Sequence, residues 1–253
     1  MADATLPLAI AAVAGLIGGS MNAIAGGGSF VTLPALVAAG VPSVSANATS
    51  TVALVPSALA SAYAYRHDFK GFEGVSMKTM AIVSVIGGAC GALLLMNTPQ
   101  RVFDVIVPFL LAFGTIVFAF GRQAGQWLRS RVTIAPNTVL VCQFFLGVYG
   151  GYFGGAVGIM MMATWSLLTS SSIATIQPAR NLLNAAMNAT ASILFIVGGL
   201  IYWKQMAAML VGAIVGGYFA AHFARRLDPA KARIGISCLN AVITGLMFWK
   251  TFG

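Results

Sequence analysis

The chain has 253 residues, of which 59% are hydrophobic and only 8% charged, and it carries a net charge of +9. Soluble domains carry about a quarter charged residues, so this composition excludes a soluble globular domain. The basic residues cluster between apolar runs, where orientation signals belong, which argues against nucleic acid as a partner.

The fold class predicted is an all-α polytopic membrane protein, with residues 1–253 forming a single transmembrane domain. Apolar runs fall at about 6–25, 29–40, 48–65, 76–96, 102–121, 138–169, 179–203, 204–224 and 231–250. Runs near 20 residues are long enough to cross a bilayer. The start, Met1 to Pro7, has no basic leader and is expected to run into the first span. The 29–40 run is too short to cross alone. It follows Gly26-Gly27-Gly28 and ends at Gly40-Val41-Pro42, as a broken element that enters the membrane and turns back would. Asn22 and Ser29 flank that break, where freed backbone groups could coordinate a ligand.

Further along, Thr49, Ser50, Ser57 and Ser61, preceded by Ser43, Ser45 and Asn47, form a polar stripe in an apolar run. The most polar connection is 122–137, with Arg122, Arg129 and Arg131. It divides the chain into a first half of about 6–121 and a second of about 138–253. In the second half Pro178 is placed in the first turn of a helix, where a missing N–H is tolerated. Arg180, Asn181, Asn184, Asn188 and Ser192 then recur at three- and four-residue spacing on one helical face. The three cysteines, Cys90, Cys142 and Cys238, show no paired spacing or nearby His and are read as small core residues. No metal or cofactor is expected. The acids Asp3, Asp68, Glu73, Asp104 and Asp228 all lie at or near span ends, which argues against a proton relay in mid-membrane.

The halves repeat one another. Gly15, Gly18, Gly19 and Gly26 match Gly147, Gly150, Gly151 and Gly158 at an offset of 132. Thr49, Ser50, Ser57 and Ser61 fall on Arg180, Asn181, Asn188 and Ser192 at an offset of 131. Each repeat has about four apolar elements, the first broken at glycines. If that broken element returns to its starting side, ten basic residues share one side of the membrane and three the other. If it crosses once, the split is eight to five. The positive-inside rule prefers the first arrangement, in which the repeats are inverted. Inverted repeats with broken helices hold substrate at the repeat interface in secondary transporters.

The two polar stripes are therefore candidate ligand surfaces. Each stripe is expected to open a helix, whose N-terminus attracts anions, and the planar guanidinium of Arg180 suits a carboxylate, sulfonate or sulfite. The substrate-binding set expected is Arg180, Asn181, Asn184, Asn188, Asn22, Gly26, Gly27, Gly28, Ser29, Asn47, Thr49, Ser50 and Ser57. The same pattern also fits an Arg180 that reaches a lipid headgroup and Asn side chains that join helices. Gly87-Gly88, Gly198-Gly199 and Gly216-Gly217 read as packing residues.

The run Gly18-Gly19-Ser20-Met21-Asn22-Ala23-Ile24-Ala25-Gly26-Gly27-Gly28, then Leu33-Pro34 and Ala46-Asn47-Ala48-Thr49-Ser50, resembles the first half of the sulfite exporter TauE/SafE family. Gly147-Val148-Tyr149-Gly150-Gly151-Tyr152-Phe153-Gly154 and Arg180-Asn181 resemble its second half. The resemblance implies transport of sulfur-containing or carboxylated anions, commonly export, in the bacterial inner membrane. Its partners are then a small anionic substrate and the bilayer, and a homo-oligomer is compatible. An anion channel and a non-transporting membrane subunit are the other classes the pattern admits; an enzyme is not expected.

The charge asymmetry predicts both termini outside and 225–231 in the cytoplasm. In a background with Cys90, Cys142 and Cys238 replaced, a cysteine placed in that stretch should resist an impermeant thiol reagent in intact cells. Labelling from outside would overturn the inverted arrangement.

Overall fold

The structure, a computed structural model, describes residues 5–24, 27–64, 75–129, 136–155, 157–168, 173–224 and 229–253. The elements there are ten α-helices: α1 Thr5–Ile24, α2 Ser29–Ala38, α3 Ser43–Ala64, α4 Met77–Met96, α5 Gln100–Arg129, α6 Pro136–Tyr152, α7 Val157–Leu168, α8 Ile173–Val197, α9 Trp203–Ala224 and α10 Pro229–Phe252. Described parts of α1, α4, α5 and α10 are long and apolar enough to cross a membrane. Helices α3 and α8 have the length but less apolar character, because they carry the polar stripes.

Three elements differ from the sequence expectation. The 138–169 run is two helices, because Gly154 adopts φ +70° and ends α6. Each half therefore has a long helix, a break and a short helix. The second break lies about one turn earlier than the glycine alignment implies, leaving Gly158 inside α7. Helix α5 continues through the polar stretch to Arg129. At 30 residues it is about 45 Å long, more than the hydrocarbon core needs. Finally, α8 starts at Ile173, so Pro178 is not in its first turn.

The exterior is apolar like the core, and a set of polar residues is buried within that core. Val105, Phe109, Ile193, Val211, Ile214, Leu246 and Trp249 are exposed on outer faces, where lipid matches them. Asn47, Thr49, Ser50, Thr51, Gln143 and Asn188 are buried. Cys90 and Cys238 lie on the exposed side rather than in the core.

Glycine determines how closely the helices approach. A Cβ on Gly15 would strike the backbone of Met209, and one on Gly19 that of Ala213, so α1 and α9 run parallel with their backbones touching. Their repeat-mates do the same against α4: Gly147 meets Ser84 and Gly87, and Gly151 meets Gly88. Lipid is as apolar as Leu, so helices in a bilayer associate through close packing, and small residues permit it. Gly87-Gly88 and Gly216 are packing residues as expected. Gly199 is not. With φ +68° it stops α8, its N–H bonding to Ile196 O and Leu200 N–H to Phe195 O.

Two further seams are antiparallel. Phe109 meets Phe252, and Thr115 hydrogen-bonds Thr244, along α5 and α10. Along α3 and α8, Thr49 sits by Tyr202 while Ala58 clusters with Ala185 and Leu182.

Gly19→Leu should force α1 from α9 and lower the melting temperature and membrane abundance, at a cost of roughly 1–3 kcal/mol or more. Gly245→Leu, where a Cβ meets nothing within 4 Å, should be near neutral in the same thermal-shift assay.

Candidate functional site

Breaking a helix inside a bilayer frees backbone groups that water cannot satisfy. At the first break, α1 ends at Ile24 and Gly28 caps α2. Gly28 has φ −56°, so the residue does not serve a left-handed turn. Its reason is space: a Cβ there would lie 2.5 Å from Gly18 O and 3.2 Å from Leu54 Cδ1. Thr32 donates back to Gly28 O and pairs with the hydroxyl of Ser50. Asn22 Nδ2 donates to Ser57 Oγ at 2.9 Å, and Ser57 donates to Leu54 O. Gly27 and Ser29 are buried in the same region, while Gly26 lies outside the described residues, as does the side chain of Ser61.

The second break is held mainly by side chains from α3 and α8. Asn47, 1% exposed, donates from Nδ2 to Tyr152 O at 2.9 Å, across 105 residues of sequence. A Cβ on Gly154 would lie 3.2 Å from Thr51 Oγ1 and 3.5 Å from Asn188 Oδ1. Asn188 in turn donates twice to Asn184, at 2.8 Å to its carbonyl and 2.9 Å to its side chain.

Arg180 stands beside this second break. Its Nε and one terminal nitrogen donate to Asn181 Oδ1 at 3.2 and 2.9 Å, which fixes the plane of the fork. The guanidinium lies over Gly158, whose added Cβ would sit 3.8 Å from Arg180 Cδ and 4.0 Å from Cζ. Gly158 is the second residue of α7, in the turn whose N–H groups have no partner within the helix. A half-buried cation and a helix N-terminus thus face one another.

The expected site residues are therefore divided among several tasks. Arg180 pairs with Asn181, and Asn188 with Asn184, while Asn47 and Asn188 each reach the α6–α7 break, at Tyr152 and Gly154. Asn22 and Ser57 form a second pair at the first break. Ser50 is engaged with Thr32, and Thr49 accepts the N–H of Tyr202, just before α9.

One expectation is corrected outright: neither stripe opens a helix. Thr49 lies inside α3, which starts at Ser43, and Arg180 lies inside α8, which starts at Ile173. The start of α3 is also occupied, because Val44 N–H donates to Gln100 Oε1 while Gln100 Nε2 donates to Ser43 Oγ at 2.7 Å. The helix N-terminus near Arg180 is that of α7. Sequence reasoning missed Thr51, Thr32 and Gly158 as part of these clusters. The four-residue spacing of Asn47 and Thr51, which the Thr51-to-Asn47 O bond uses, was the available signal for Thr51.

Comparison with known proteins agrees with this architecture. Residues 11–247 match the family model described as sulfite exporter TauE/SafE. A "probable membrane transporter protein" of Haemophilus influenzae is 27% identical over 246 residues, 96% of this chain and 94% of that one. The Escherichia coli K12 "probable membrane transporter protein YfcA" is 28% identical over 239 residues, covering 94% of this chain and 88% of that one. A Sinorhizobium "probable membrane transporter protein ORF9" is 30% identical over 86% of this chain and 83% of its own length. No solved structure gives a significant match. Spanned by the family model almost from end to end, this chain of apolar helices belongs to the sulfite exporter TauE/SafE family of multi-pass membrane transporters.

Proposed function

We propose that the protein is a secondary transporter that exports a small sulfur-containing or carboxylated anion, such as sulfite or a sulfonate, across a bacterial inner membrane. The carrying observation is Arg180, half-buried, oriented by Asn181 and set over Gly158 at the start of α7. A guanidinium offers a planar pair of donors that matches a sulfonate or carboxylate edge. The α7 N-terminus adds positive potential, and Asn184 and Asn188 supply neutral polar groups nearby. A membrane potential negative inside drives an anion outward by about 2.3 kcal/mol per charge per 100 mV, so the direction needs no intramembrane carboxylate.

The helix directions support reading 6–121 and 138–253 as inverted repeats joined by 122–137. Under the exchange of each helix with the one five later, the α1–α9 seam becomes the α6–α4 seam, and both are parallel. The α3–α8 and α5–α10 seams map onto themselves, and both are antiparallel. A two-fold axis lying in the membrane plane gives that combination; an axis along the membrane normal would make the self-mapped pairs parallel. The α3–α8 seam is then the repeat interface, where transporters hold their substrate.

Anion affinity of purified protein, measured against sulfite, sulfonates and carboxylates, tests the site. Arg180→Gln should weaken binding about ten- to a hundred-fold, the value of a lost charge-assisted hydrogen bond. Arg180→Lys should fall between, since it keeps charge and loses the fork. Unchanged affinity in the Gln variant removes Arg180 from the site. Gly158 gives a graded second test. Gly158→Ala makes only ordinary contact with Arg180 and should bind normally, whereas Gly158→Leu displaces the guanidinium and should cost about tenfold or more. Equal affinity in the Ala and Leu variants places the anion elsewhere.

A further inference from the structure

The α6–α7 break carries a second feature, distinct in charge from Arg180. The oxygens there have spent their protons elsewhere. Thr51 donates its hydroxyl proton to Asn47 O at 2.9 Å, which leaves lone pairs on Oγ1 toward Gly154. Asn188 directs its Nδ2 protons to Asn184, leaving Oδ1 facing the same point. Asn47 directs Nδ2 to Tyr152 O, and its own Oδ1 has no hydrogen-bond partner among the described residues, although the side chain is almost wholly buried. Helix α6 ends at the same place. Gly150 O lies 3.6 Å from the position of a Gly154 Cβ, and it is among the last four carbonyls, which no helical N–H satisfies.

Thr51 Oγ1, Asn188 Oδ1 and Gly150 O therefore gather around one glycine in left-handed backbone at the negative end of α6, and the unpartnered Asn47 Oδ1 belongs to a side chain tied to Tyr152, two residues before that glycine. An acceptor-only group of buried oxygens is costly unless something positive meets it. We propose that this break binds a sodium ion, which couples to the anion held by Arg180.

The oxygen set selects the class of ion. Calcium and magnesium sites recruit carboxylates to offset dehydration, and here every donor is neutral. Transition metals prefer imidazole or thiolate, and no cluster of three His, Cys, Asp or Glu exists among the described residues. Broken transporter helices coordinate sodium with unwound carbonyls and half-helix C-termini, the combination present at Gly154. A cationic group stands on an adjoining element: Arg180 of α8, over Gly158, four residues beyond Gly154. Sodium and guanidinium repel one another until an anion lies between them. Occupancy of the two sites is then mutually reinforcing, and linkage makes the effect reciprocal. This coupling rests on the anion reading above, whereas the sodium site itself does not.

Thermal melting of the purified full-length protein, without substrate anion, in sodium, potassium and choline chloride at equal ionic strength tests the ion site. Wild type should gain a saturable shift of several degrees in sodium alone. Thr51→Val and Asn188→Ala should each raise the half-saturating sodium concentration about tenfold or more, and Thr51→Ser, which keeps the oxygen, should restore it. Arg180→Gln should retain the sodium shift while losing anion binding. A shift of equal size in potassium or choline, or one that both oxygen-deleting variants leave unchanged, overturns the sodium site. Sulfite or sulfonate affinity is then measured with and without sodium in wild type. Affinity that does not rise with sodium, in a protein that shows the specific melting shift, overturns the coupling alone. Retention of anion binding by Arg180→Gln would instead defeat the anion reading and leave the ion site standing.

Discussion

Interrupting a helix where there is no water leaves carbonyl and amide groups that only the protein can satisfy. This chain does so twice, after Ile24 and after Tyr152, and much of the interior is arranged around those two interruptions. Hydroxyls and carboxamides on α3 and α8 account for the stripes that make these helices less apolar than their neighbours. Asn47 bonds the Tyr152 carbonyl, and Thr51 and Asn188 flank Gly154. At the other break, Ser57 holds Asn22, and Ser50 meets Thr32. Because Asn47 belongs to the first half and Tyr152 to the second, the second break is held across the boundary between the halves.

The glycine seams place these parts. Helix α1 lies on α9, and α6 on α4, with backbones close enough that a methyl group would collide. Such contact fixes depth as well as distance, since each glycine must sit opposite a particular backbone segment. The breaks are thereby held at a set level relative to α3 and α8. Small residues thus do the positioning, and the polar residues they position hold the two breaks.

Charge is scarce inside, which gives each charged group weight. Arg180 is the basic residue that lies within a polar interior stripe, and the acids stay at or near span ends. In the proposed reading, one guanidinium and one helix terminus draw an anion to that interior. The neutral oxygens at Gly154 form the proposed site for the opposite sign, four residues before Gly158. Such juxtaposition allows two ions of opposite charge to enter a low-dielectric interior together at less cost than either alone.

The sequence by itself determined the membrane class, the broken first elements, the glycine repeat and the two polar stripes. All of these depend on residue type and local spacing, which hydropathy and helical periodicity report directly. It also exposed Arg180-Asn181-Asn184-Asn188 as one face, along which Arg180 bonds Asn181 and Asn188 bonds Asn184. Tertiary structure decided the rest. Pro178 reads locally as a helix start, yet α8 begins at Ile173 and carries the proline inside it. Glycine alone could not distinguish the stop at Gly199 from the seam at Gly216, since one requires a backbone angle and the other a facing helix. The pairing of Thr49 with Tyr202, 153 residues away, and of Asn47 with Tyr152 had no local trace. A side chain's hydrogen-bonding capacity is written in its residue type, but its partner is chosen by which backbone the fold brings within three ångströms.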